Sequence, residues 1–372
     1  MKRGIEQMNR LSRQEIIKNY VSIKPFENPQ QEYDIIRGKA HLSSHGIGIS
    51  TLAHALRSCG VHATSCSFYT NVYSYLSDVC LNLDLNPMDL RVKIRDAYFE
   101  EALETYDIFH FHFGSTFFEP DKRDLKILKS LGKKLVAHFN GDEARSPSIA
   151  SAFNNPYVQV RELWTEERIR DNLKLNSAYI DHAIINDHEL LPQVEPYFKK
   201  VHIIPYAIDA REFTPEYPSP GAEPVVVHAP SDRRVKGTEF VLQAVERLKR
   251  EGQKFQFRLV EKVPHEQAKQ IYQKSTIIID QLTVGTYANL SMEAMAMGKP
   301  VICYIRDDLR STFPPGFPIV SATPDTIYEV LKDLLNRPED WPKLGMAGRS
   351  YVEQTHNYDK VAQKLIDVYK QL

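Results

Sequence analysis

The sequence predicts an α/β protein of two domains, and three observations carry that expectation. Short apolar, β-branched runs alternate with helix-like stretches along both halves, the pattern of parallel strands covered on both faces. At 372 residues the chain exceeds one ordinary core. Pro215, Pro218, Pro220 and Gly221 crowd together near the middle, which marks a linker and puts the domain boundary near 218.

Composition bounds the function classes. Apolar content of 42% with a net charge of -1 is that of a soluble globular protein, and no basic excess argues for nucleic acid. Cys59, Cys66, Cys80 and Cys303 form no Cys-x-x-Cys pair and read as reduced thiols. The first residues, MKRGIEQMNRLSRQE, lack the apolar core of a signal peptide, and no window reaches the length of a membrane span. The expectation is a cytoplasmic protein, with peripheral contact at the inner membrane face left open.

Residues 1–37 form a polar extension, with a short helix expected over Leu11 to Tyr20 and turns at Pro25 and Pro29. From Lys39 a strand meets Ser43-Ser44-His45-Gly46-Ile47-Gly48, and an amphipathic helix with Leu52, Ala55 and Leu56 follows, stopped by Gly60. Gly46 and Gly48 allow close backbone approach to a ligand, or serve only as a tight βα turn. His45 reads as an exposed loop residue. Tyr106 to Phe113 is a strand on which His110 and His112 share one face, as metal ligands do. No third ligand lies near them in sequence, so they read as core or cleft-wall histidines and no metal site is assigned.

A helix over Asp121 to Leu131 precedes the strand Lys134 to Phe139, which ends at Asn140-Gly141-Asp142-Glu143-Ala144-Arg145. Arg145 suits a phosphate or carboxylate ligand, or a local ion pair with Asp142 or Glu143. Tyr157 to Asn176 reads as a charged helix, and strands are expected within Ala178 to Asn186 and from Val201. The second domain opens with a strand over Pro224 to Ala229 and the loop Pro230 to Gly237. Arg233, Arg234 and Lys236 there make a diphosphate clamp or a set of solvated charges. Phe257 to Glu261 is a strand, Lys262-Val263-Pro264 its loop, and His265 to Gln273 a helix.

Thr276 to Ile279 is a strand buried on both faces, followed by Asp280, Gln281 and a loop holding Gly285. A helix over Met292 to Met297 is expected next, capped by Asn289 or Ser291, with Glu293 in its first turn. A carboxylate there accepts hydrogen bonds from sugar hydroxyls, or answers the helix dipole alone. Gly298-Lys299-Pro300 ends the helix, Val301 to Tyr304 is a strand, and helices over Asp325 to Leu335, Trp341 to Gln354 and Tyr358 to Leu372 complete the chain.

The string Glu293-Ala294-Met295-Ala296-Met297-Gly298-Lys299-Pro300-Val301 resembles the nucleotide-sugar site of family-four retaining glycosyltransferases of the GT-B type. That family carries a further Glu eight residues earlier, where this chain has Gly285. Asp280 to Tyr287 is similar to the Asp-Gln-Leu-x-x-Gly-x-Tyr of one of its subgroups. The resemblance spans residues 38 to 372 and implies two Rossmann-like domains facing each other across a cleft. It assigns residues 38–217 to the acceptor and 218–354 to the nucleotide sugar, with 355–372 a helix returning to the first domain. Lys236-Gly237-Thr238 matches the family's phosphate loop; its usual Arg falls on Ser231, and Arg233 is the expected substitute. The turn from Asn140 to Arg145 is similar to the family's His-Gly-x-Asp-x-Arg. Asn140 replaces a histidine there, and His138 lies two residues earlier on the same strand face as a replacement.

The resemblance thus implies sugar transfer from a nucleotide-diphosphate donor to a hydroxyl acceptor, with retention and without metal or bound cofactor. Its catalytic set is His138, Asn140, Arg233, Lys236 and Glu293. Ser231, Gly237, Glu261, Val263, Gly285, Thr286, Tyr287, Ala288 and Asn289 hold the donor, and Gly46, Ile47, Gly48 and Arg145 form the acceptor and phosphate loop. Two other readings stay open at this point: a nucleotide-sugar epimerase or hydrolase of the same fold, and a degenerate nucleotide-sugar-binding protein.

Overall fold

The structure, a computed structural model, describes residues 11–23, 39–44, 49–70, 77–153, 155–221 and 223–372. Most of the polar extension, His45 and the loop Gly46-Ile47-Gly48 lie outside the described residues. Among those described, the strands fall into two sheets, one for each half of the chain.

The first sheet holds β1 (Ser22–Ile23), β2 (Ala40–Ser44), β3 (Ala63–Ser67), β4 (Val79–Cys80), β5 (Ile108–His112), β6 (Lys134–Phe139), β7 (His182–Ile185) and β8 (Lys200–Ile203). Their spatial order is β1-β4-β3-β2-β5-β6-β7-β8. All pairings are parallel except that of β1 with β4. The order reverses between β2 and β5, where an open sheet leaves a crevice beyond its carboxyl edge. The second sheet holds β9 (Val225–His228), β10 (Gln256–Leu259), β11 (Ile277–Ile279) and β12 (Val301–Ile302). It is parallel, in the order β10-β9-β11-β12, and its reversal lies between β9 and β11.

Helices of the first half are α1 (Arg13–Tyr20), α2 (Ile49–Ser58), α3 (Met88–Thr105), α4 (Arg123–Ser130), α5 (Pro147–Ala152), α6 (Glu166–Ser177) and α7 (Leu191–Val194). Ser12 and Glu15 close a reciprocal capping box on α1. The charged stretch from Tyr157 is not helical until Glu166, a correction to the sequence expectation. The Thr165 side chain caps α6 there. The residues before it spend their polar groups on the second half instead: Arg234 Nη1 donates to Gln159 Oε1 at 2.8 Å, and Nη2 donates to the Val160 carbonyl.

The second half contributes α8 (Arg233–Lys236), α9 (Thr238–Arg250), α10 (His265–Gln273), α11 (Asn289–Ala296), α12 (Asp307–Arg310), α13 (Ile327–Leu335), α14 (Trp341–Tyr351) and α15 (Tyr358–Tyr369). A π turn, Val352–His356, replaces the expected last turn of α14. Helix α15 crosses back to the first half. Val361, Ala362, Leu365, Ile366 and Tyr369 are buried among Leu42, Leu52, Leu56 and Ile108 in one apolar cluster. The backbone joins here as well, for Ile208 N donates to the His356 carbonyl at 3.0 Å.

Candidate active site

The second sheet's reversal point organises the site. Directly beyond β11, the buried Asp280 carboxylate accepts from Lys236 Nζ at 2.9 Å and from Ser291 Oγ at 2.7 Å. Gln281 accepts from the same ammonium at 2.7 Å and donates to the Thr286 carbonyl at 2.5 Å. The two side chains thus tie α8, the glycine loop and α11 into one unit. Burial pushes the Asp280 carboxyl up, and the Lys236 ammonium more than offsets this, leaving it below its ordinary value. Gly237, with φ +73°, turns the chain from α8 into α9, and a Cβ on it would come 3.1 Å from Leu282 Cβ.

Helix α11 begins at Asn289, three residues before its expected start, and Ala288 stands at its cap position. Neither Asn289 nor Ser291 caps it: Asn289 is already helical, and the Ser291 hydroxyl is spent on Asp280. Glu293 therefore lies in the second turn, away from the terminal amides, and its partner is His265 Nε2 at 2.8 Å. Among the described residues no side chain caps the amides that open α11. Such a helix end attracts an anion.

Gly285 adopts φ +93°, and a Cβ there would fall 2.7 Å from Arg306 Cγ and 2.8 Å from Cδ. The Arg306 stem thus fills the room that a side chain at 285 needs. That gives a physical reason for glycine at this position. Thr286 is buried and donates to Asp187 Oδ2 of the first half at 2.5 Å. Burial, reinforced by nearby Glu189, raises the Asp187 carboxyl. The Tyr287 ring turns inward among Phe313, Phe317 and Tyr351, with its hydroxyl 2.9 Å from His356 Nε2. It does not line an open cleft.

Arg233 is half exposed and forks onto Glu261, with Nε to Oε1 at 2.8 Å and Nη2 to Oε2 at 2.7 Å. Ser231 is exposed and Val263 half-buried. Lys262 between Glu261 and Val263 has φ +55°.

Across from these groups, the turn after β6 is a closed polar knot. Arg145 is buried and donates to Glu189 through Nε and Nη2, each at 2.9 Å, and to Asp142 through Nη1 at 2.9 Å. These contacts commit the guanidinium within the protein, which favours the ion-pair reading over the phosphate one and adds a second partner, 44 residues on. Glu143 accepts from the amides of Asn140 and Gly141, and burial pushes its carboxyl up to about 7. Asn140 Nδ2 is buried with no partner, and its carbonyl accepts from Tyr206 Oη at 3.0 Å.

His138 lies in the layer between sheet and terminal helix, with Nδ1 3.2 Å from His110 Nε2 and Nε2 3.1 Å from Asn186 Nδ2. Its ring is not presented to a cleft in this arrangement. His110 and His112, expected to have no third neighbour, do have one: β5 and β6 pair with His112 opposite His138. Register across strands was not legible in the sequence.

Sequence reasoning missed the groups that bridge the halves. Asn155 Nδ2 donates to the carbonyls of Thr283 and Val284, each at 2.9 Å, and Tyr157 Oη donates to Asp325. No motif marks them.

Residues 215–367 match the model of the family described as glycosyl transferase-like. No curated protein matches the chain by sequence. Among solved structures, sucrose-phosphate synthase from Thermosynechococcus elongatus superposes with a TM-score of 0.64 at 16% identity, over 90% of this chain and 99% of that one. HepE from Anabaena, in complex with UDP-glucose, gives 0.63 at 12% identity, over 90% of this chain and 100% of that one. A glycosyltransferase from Rickettsia africae gives 0.58 at 14%, over 90% and 98%. The chain therefore has the GT-B fold, and its residues 215–367 match the glycosyl transferase-like family.

Proposed function

We propose that this chain is a glycosyltransferase that takes its sugar from a nucleoside diphosphate and delivers it to a hydroxyl acceptor, with retention at the anomeric carbon. The observation that carries the reading is convergence on one sheet edge. The uncapped start of α11, Lys236 on Asp280, the Arg233–Glu261 fork and the His265–Glu293 pair all belong to the loops and helix ends around β9, β10 and β11. As the glycosidic bond breaks toward an oxocarbenium-like state, charge builds on the departing diphosphate. Fixed donors and cations lower that barrier because they need no reorganisation. Arg233 would exchange Glu261 for phosphate oxygens, and Lys236 and the α11 amides would hold the same anion. Glu293, steadied by His265, would accept from ribose or sugar hydroxyls. The sequence has no Asp-x-Asp to bring a metal to the diphosphate, so protein cations carry that charge in this reading.

HepE was solved with UDP-glucose, UDP, and UDP with glucose, which makes a uridine nucleotide the first donor to try. The test is calorimetric binding of UDP, GDP, ADP and their sugars to wild type, Glu293→Ala and Arg233→Ala. Removing a charge-assisted contact costs about 1.5–3 kcal/mol, so each variant should bind the preferred nucleotide roughly 10- to 100-fold more weakly. The anomeric configuration of the product, read by NMR, tests retention. Failure of every nucleotide to bind would overturn the proposal.

A further inference from the structure

Two strands of the first sheet change character near their carboxyl ends. On the face covered by α2 and α15, β5 runs Ile108, His110, His112 and β6 runs Val136, His138. Aliphatic side chains fill the layer until three imidazoles replace them. All three are buried, and one ring nitrogen from each lies within 4.8 Å of the others. The rings of His110 and His112 stack at 4.4 Å, and His138 lies 4.5 Å from His112. Strand register alone creates this group, because His112 and His138 are directly paired.

Burial pushes all three imidazoles below their ordinary range. Neutral rings each offer one lone pair. In a purely hydrogen-bonded arrangement, Asn186 Nδ2 donates to His138 Nε2, His138 Nδ1 to His110 Nε2, and His110 Nδ1 to Tyr369 Oη at 2.7 Å. That chain leaves two buried atoms without partners, His112 Nε2 and Asn186 Oδ1. An orphaned polar atom in an apolar layer is costly.

We propose that His110, His112 and His138 bind one late first-row divalent cation of the zinc class, through His110 Nε2, His112 Nε2 and His138 Nδ1, with one water completing the tetrahedron. Two features of the same coordinates favour it. The 3.2 Å between His110 Nε2 and His138 Nδ1 is close to the roughly 3.3–3.4 Å that two nitrogens span on a tetrahedral ion with bonds of about 2.0–2.1 Å. The orphaned His112 Nε2 becomes a ligand. Once His138 binds through Nδ1 it carries its proton on Nε2, and turning the Asn186 amide lets Oδ1 accept it in exchange for the long 3.4 Å bond from Nδ2 to the Ile204 carbonyl. His110 keeps Nδ1–H on Tyr369. Each of these two ligands then has the outer hydrogen bond that fixes its tautomer. Imidazoles without carboxylates select zinc, cobalt, nickel or copper over magnesium and calcium. Because Tyr369 belongs to α15, the ion would tie the returning helix to the sheet. It serves structure there, apart from the diphosphate site of the second sheet.

The test uses the full chain, stripped with a chelator and dialysed, then titrated with Co2+ and, separately, Zn2+. Wild type should take up one ion per chain, develop the visible d–d absorption of tetrahedral cobalt, and melt a few degrees higher with Zn2+ bound. His112→Leu should lose the absorption and the shift. His202→Gln, at the half-buried His182–His202 pair 3.0 Å apart, should keep both. Should His112→Leu fail to fold, the wild-type titration decides alone. Absence of tetrahedral absorption in wild type, an unchanged melting point with Zn2+, or loss of the signal in His202→Gln rather than His112→Leu would overturn the proposal.

Discussion

Substituting Gly285→Ala adds one methyl group at a position with no room for it. Two costs are separable. The left-handed backbone, φ +93°, costs a residue with a Cβ about 1–2 kcal/mol. The new atom would also fall 2.7 Å from Arg306 Cγ and 2.8 Å from Cδ. Arg306 cannot swing away freely: it is buried and forks onto Asp308 at 3.0 and 2.6 Å. Forcing an extra methyl against such a side chain costs about 1–3 kcal/mol. The expected loss is therefore about 2–5 kcal/mol, read as a shift in denaturant midpoint. Arg306→Ala in the same chain should recover the steric part, leaving the backbone part. In a double-mutant cycle the coupling should reach about 1–3 kcal/mol. Additive effects, agreeing within about 0.5 kcal/mol, would refute the claim that the Arg306 stem keeps residue 285 a glycine.

Arg145→Met strands the Glu189 carboxylate, which is 1% exposed, and leaves Asp142, 7% exposed, with Arg161 alone. It should cost about 3–5 kcal/mol in unfolding experiments and leave nucleotide affinity of the folded protein unchanged; a stable variant that loses nucleotide would show the guanidinium serving phosphate instead. Glu143 has its carboxyl raised from 4.5 to about 7 in the folded protein. A raised value contributes stability that is fully present below the unfolded value and is lost as pH rises through the folded one. Wild type should therefore lose about 1–3 kcal/mol between pH 4.5 and 8 that Glu143→Gln keeps, with parallel pH profiles counting against the assignment.

The sequence displayed what is local. Thr276 to Ile279 and Val301 to Tyr304 announce strands by β-branching, and Gly298-Lys299-Pro300 punctuates the helix between them. The stripe Val361, Leu365, Ile366, Tyr369 announces a helix with one apolar face. Its destination, the N-terminal layer holding Leu42 and Leu56, is a matter of resemblance rather than pattern. What stayed hidden is non-local. Arg145 finds Glu189, Arg233 finds Glu261, and the third imidazole of the buried group arrives from a neighbouring strand. Such partners are fixed by register and chain path, which spacing does not encode. The start of α11 was misread because Ser291 resembles a cap while its hydroxyl is needed by Asp280. The string of charge from Tyr157 looked helical because nothing local shows Arg234 claiming its carbonyls.

The chain passes between the two halves twice, once after β8 and once at the π turn before α15. The two passages touch: Ile208 pairs with Asn357, and His356 Nδ1 donates to the Tyr206 carbonyl at 2.8 Å. A body tethered by one strand can swivel, slide and tip. Tethered by two strands laced side by side, it keeps chiefly the tipping motion, about an axis running through the lacing. Tipping of that kind breaks the hydrogen bonds that Asn155, Tyr157 and Arg234 make between the halves, while the laced edge near Tyr206 stays in place like the spine of a book.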